Sequence, residues 1–99
     1  MNVINKVSEI KAQDVWDYIQ PSEPMDADAL NTIQTMIGVA TSYITSYTGL
    51  TDLDGNRDFV IVLLILCQDM WDNRTLYVNE SNLNHVVQTI LGMHSVNLL

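Results

Sequence analysis

Between Asp26 and Thr48, the apolar positions Leu30, Ile33, Ile37, Ala40, Ile44 and Tyr47 recur at intervals of 3, 4, 3, 4 and 3. That spacing predicts one buried face of a helix of about six turns. Asp26 or Asp28 is placed to cap its first amides, and both carboxylates suit the positive end of the helix dipole. Gly49 fits the left-handed position just past the end, with Leu50 folding back on Ile44 in a Schellman-type stop. A shorter helix over about 12–20 puts Val15, Trp16 and Ile19 on one side. It ends at Pro21, because the residue before a proline is pushed out of the helical region. Upstream, residues 1–10 are expected as a flexible N-terminal arm, although its Val3, Ile4, Val7 and Ile10 could extend the helix or pack separately.

The longest apolar run is FVIVLLILC, from Phe59 to Cys67. Its β-branched content also permits a buried strand. The run continues without a turn signal into Gln68-Asp-Met-Trp-Asp72, and roughly 16 residues are too many for a typical strand. A third helix over about 57–73 is therefore expected, capped by Asp54, Asn56 or Asp58. A helix apolar nearly all round must be covered on most sides. Two other helices cover part of it, which leaves the remainder to the fourth segment or to a neighbouring subunit. After Asn73-Arg74, a short extended piece is possible near 75–80. Asn82 or Asn84 can then cap a short helix carrying Val86, Val87, Ile90 and Leu91, which Gly92 would stop. Residues 94–99 form an apolar tail through Val96, Leu98 and Leu99. Such a tail either folds back on the core or docks on a partner. The expected architecture is one all-α domain over residues 1–99, a small helical bundle of three main helices plus a short C-terminal helix.

Charge narrows the partners. Twelve acidic and four basic side chains give a formal charge of −8, which argues against duplex binding, where Lys and Arg neutralise phosphates, and against an anionic membrane surface. The nine-residue apolar run falls short of the roughly 20 needed to span a bilayer. No apolar stretch in the first twenty residues has the length of a signal-peptide core. The single Cys67 excludes an internal disulfide and fits a reducing compartment.

Candidate chemistry is sparse. Asp14-Val-Trp-Asp17 and Asp69-Met-Trp-Asp72 each place two carboxylates three apart around a tryptophan, a spacing able to hold Mg²⁺ against a phosphate. The competing reading is that the tryptophans pack inward, and no Lys- or Arg-rich phosphate grip accompanies the pairs. Asp52-Leu-Asp54-Gly-Asn56-Arg-Asp58 is dense in oxygen ligands, but lacks the glycine and glutamate positions of a calcium loop and reads as a turn with a helix cap. Cys67, His85 and His94 do not have zinc-site spacing. No glycine-rich phosphate loop, serine elbow or paired-cysteine motif is present. No catalytic, cofactor or metal site is expected.

Three stretches together, SYITSYTGL, DMWDNRT and VVQTILGM, resemble the head–tail connector proteins of long-tailed bacteriophages, also called portal adaptors or DNA-packaging proteins. The likeness covers about residues 10–95. It places Tyr47-Thr48-Gly49 at the end of the second helix and Trp71-Asp72-Asn73-Arg74 at the end of the third. The chain departs from the family at His94-Ser95, where an arginine is usual. The resemblance implies a non-enzymatic structural subunit of a homo-oligomeric ring under the portal, at the head–tail junction of a virion and in host cytoplasm during assembly. Such a ring extends the DNA channel without sequence-specific binding and presents a surface for the next head-completion or tail protein. Partner contacts are assigned to Val96, Leu98 and Leu99, and a channel or rim element to Asp52, Asp54 and Asp58. Arg74 is assigned an intersubunit or helix-end ion pair. Two rival functions are an acidic DNA-mimic inhibitor, weakened by the acid-free stretch 30–50, and a small Mg²⁺-dependent nucleotide hydrolase using the Asp–x–Trp–Asp pairs.

Overall fold

Among the described residues, four α-helices follow one another: α1 (Ala12–Ile19), α2 (Ala27–Thr48), α3 (Asp58–Asn73) and α4 (His85–His94). The structure, a computed structural model, describes residues 4 and 6–94, and contains no strand among them. The third helix lies at the centre, packed against α1, α2, α4 and a 3-10 turn at Val7–Glu9. No described helix is long and apolar enough to cross a membrane.

The helix boundaries follow from local chemistry. Asp26 caps α2 by accepting the Ala29 amide at 2.8 Å, and Gly49 closes it at φ 75°. The stop is a single αL closure rather than the Schellman motif. Gly49 N–H donates to the Thr45 carbonyl at 2.9 Å, while Leu50 N–H donates to the hydroxyl of Thr48 at 3.2 Å. That hydroxyl, fully buried, itself donates to the Ile44 carbonyl at 2.7 Å. It therefore replaces the second carbonyl bond of a Schellman closure.

A Schellman motif occurs instead at the end of α3, where the left-handed residue is Arg74 at φ 55°. Thr75 N–H reaches the Met70 carbonyl and Arg74 N–H the Trp71 carbonyl, at 3.0 and 3.2 Å. The start of α3 also departs from expectation, since none of Asp54, Asn56 or Asp58 caps it. The chain enters already helical at Arg57, and tight bonds from Phe59 N–H to Asn56 O and from Val60 N–H to Arg57 O satisfy early amides. Over 75–80 the chain bends and then turns into a 3-10 segment, Glu80–Asn82, rather than forming a paired strand.

Asn84 caps α4 through the Val86 amide at 2.8 Å, but Gly92 does not stop the helix, which continues to His94. Gly92 adopts no positive φ. Without a left-handed residue there is no local reason for the helix to close at that point. Near the other end, residues 6–10 take the packed alternative for the arm: Val7 and Ile10 are buried, in a turn separate from α1.

Candidate functional site

The acidic 52–58 segment is held to the rest of the bundle at two points. Asp54 accepts both the backbone N–H and the hydroxyl of Ser8, at 3.0 and 2.6 Å, pinning the N-terminal turn. These bonds, the hydroxyl first, hold its carboxyl below the usual carboxylate range. Asp52 accepts the Asp54 amide at 3.0 Å, forming an Asx turn. Asp58 lies 3.4 Å from His94 Nε2, and the His94 ring meets Phe59 edge-on with centroids 5.0 Å apart. Asp52 and Asp58 are exposed and Asp54 is half-buried. The segment is thus a turn, as its composition indicated, with one carboxylate turned to a structural task that spacing alone did not reveal. Ser8 lies 46 positions away, which is why no local pattern could pair it with Asp54.

The two Asp–x–Trp–Asp pairs meet through their tryptophans. Trp16 and Trp71 pack edge to face with ring centroids 5.3 Å apart and planes at 79°, both nearly buried, a favoured aromatic geometry. The aspartates have separate tasks. Asp14 accepts the Lys11 amide at 2.9 Å, half of a capping box, and Asp17 accepts from the Gln13 carboxamide at 2.8 Å. Asp72 is exposed and Asp69 half-buried. Among the described residues, no group of three or more His, Cys, Asp or Glu side chains is placed to hold a metal ion.

Arg74 lies at the end of α3 with its guanidinium carbon 4.8 Å from the centre of the Trp71 ring and a nitrogen 4.0 Å from Glu23. The helix-end ion pair is what the structure contains. Both side chains are well exposed, so the stacking on Trp71 outweighs the ion pair, which solvent screens. Cys67 is enclosed, and burial pushes its thiol up to about 12. His85 and His94 stand at opposite ends of α4 and form no cluster with it. Val96, Leu98 and Leu99 lie outside the described residues.

Two surface features had no counterpart in the motifs. One is an outward apolar ridge on α4, made of Val86, half-buried Ile90 and Met93; Val86 is 47% and Met93 65% exposed. The adjoining face, Val87 and Leu91, is fully buried. The 86, 90, 93 spacing is legible in the sequence once the helix is known to run past Gly92. The other is a cavity of about 420 Å³ between α3 and the segment after it, lined in part by Asp69, Asn73, Thr75 and Asn82. Burial, with the charge of Asp72 behind it, raises the Asp69 carboxyl above the usual range.

Of the two covers open to α3, the fourth segment is the one present, as α4. Phe59, Val60, Val62, Leu63, Leu64, Leu66 and Cys67 are all buried within the single chain, and of the apolar run only Ile61 is exposed. Four neighbouring elements cover this helix, so its hydrophobicity does not call for a second subunit. No family model, no curated protein and no solved structure matches this chain.

Proposed function

We propose that this chain is a structural subunit of a phage or prophage head–tail connector ring. In that role it docks under the portal, extends the DNA channel and presents a surface for the next head-completion or tail protein. The all-α bundle, the net charge of −8 and the order of the three connector-like stretches are in keeping with the role. The observation that carries it is the α4 ridge. A Val and a Met this exposed, spaced to line one helix face beside a buried one, suit contact between neighbouring copies. The 94–99 tail that follows suits a groove on the portal, and an anionic surface suits a conduit that should not hold sliding DNA.

The test is mass in solution, measured for the chain alone and mixed with portal rings of the same phage. A closed multiple of the protomer, lost in a V86D/M93D variant, is the expected result, as is loss of portal association on deleting residues 94–99. A protomer that stays monomeric alone and with portal sinks the reading. The DNA-mimic and hydrolase alternatives have less support: α2 contributes no acid beyond its first turn, and Asp14 and Asp17 serve their own helix.

A further inference from the structure

The cavity beside the end of α3 sets the Asp69 carboxylate among polar side chains, with the Asn79 and Asn82 carboxamides and the Tyr77 hydroxyl on its farther lining. Asn73 uses its Nδ2 on the Asp69 carbonyl at 2.8 Å, which leaves its Oδ1 unengaged. The Thr75 hydroxyl donates to the Tyr77 carbonyl at 3.4 Å, which leaves its oxygen lone pairs free to accept. Among the described residues, no side chain or amide donates to the Asp69 carboxylate, no cation pairs with it, and no Lys, Arg or His lines the cavity. Leu66, Met70 and Leu83 supply apolar wall beside these acceptors.

We infer that this cavity is a guanidinium pocket, which takes an arginine side chain from a different, basic protein. A guanidinium carries five donors, no acceptor and a fixed positive charge, matching a carboxylate flanked by a carboxamide oxygen and a hydroxyl. Its aliphatic stem covers apolar wall while its head stays among polar groups. Its planar fork and weak hydration favour it over an ammonium at a partly desolvated carboxylate. The raised Asp69 carboxyl agrees, since it marks a charge that the folded chain leaves uncompensated. The arginine is assigned to a different protein because this chain has only four basic residues in a net charge of −8; of its two arginines, Arg74 already lies over Trp71 and Arg57 stands at the other end of α3. A basic partner is drawn to such an acidic surface. The pocket is independent of the ring proposal and can be tested on the isolated chain.

The experiment titrates the full ¹⁵N-labelled chain with N-acetyl-arginine amide, N-acetyl-lysine amide and N-acetyl-citrulline amide, the last a neutral isostere of arginine. Saturable shifts confined to residues 66–83 are expected with arginine, weaker with lysine by roughly fivefold and absent with citrulline. In Asp69→Asn, with the rest of the spectrum unchanged, arginine affinity falls by about tenfold or more. No saturable shift, an equal response to citrulline, or a larger response to magnesium chloride overturns the pocket. Shifts at the same amides on raising the protein concentration without ligand would make a second copy the donor, and overturn the assignment to a different protein.

Discussion

The third and fourth helices are both apolar on more than one side, and the fold treats them oppositely. In α3 the surplus is absorbed, because α1, α2, α4 and the N-terminal turn surround it and leave only Ile61 of the central run exposed. In α4 the surplus stays outside, because the helix lies at the edge of the bundle and buries only Val87 and Leu91. Hydrophobicity along a segment therefore does not say where a partner docks. Position in the bundle decides which apolar positions stay exposed, since α3 has neighbours on most sides and α4 does not. For the ring we propose, the comparison favours an interface on α4 over one on α3, which the composition of the third segment invites.

The sharpest way to break the comparison is truncation inside the core. Leu63→Ala, at a fully enclosed position, is expected to lower the unfolding free energy by about 2–5 kcal/mol, read from denaturant melts. The same enclosure protects Cys67. Native protein should leave a thiol reagent unreacted at neutral pH until it unfolds, because the thiol is both buried and held near 12; rapid labelling of the native chain would mean that α3 is not covered as described.

Gly92→Ala tests whether α4 continues past its glycine. A Cβ there meets nothing within 4 Å and the backbone has no positive φ, so stability should rise by roughly 0.5–1 kcal/mol. A drop would restore Gly92 as a helix stop. On the ridge, Val86→Ser and Met93→Ser should each stay within about 0.5 kcal/mol of the parent protomer, in contrast to the core substitution.

The smallest expected effect is in the pH dependence of two aspartates with opposite shifts. The Asp69 carboxyl is raised on folding by burial, so stability falls as pH climbs through its folded value. Asp69→Asn should melt higher than the parent at neutral pH, and the difference should close in acid below about pH 4. Asp54 is lowered by Ser8, so its contribution is present above the ordinary carboxylate range and is lost as pH falls through the folded value. Asp54→Asn should therefore melt lower at neutral pH and converge with the parent in acid.

Much of this molecule follows from spacing along the chain. The 3, 4, 3, 4, 3 pattern of α2, the cap at Asp26, the glycine stop at position 49 and the inward tryptophans all depend on residues a few positions apart, and helical geometry turns such spacing into a face. Where two local solutions compete, the signal weakens. Gly92 resembles a stop but sits in ordinary helix, and Arg74 takes the left-handed position that a glycine occupies elsewhere. Contacts between segments far apart in sequence were beyond such spacing. The Ser8–Asp54 bonds, the meeting of Trp16 with Trp71, the covering of α3 and the cavity around Asp69 required the packed bundle. Each depends on which helix lies beside which, and that choice is made by the summed burial of many side chains rather than by any short stretch.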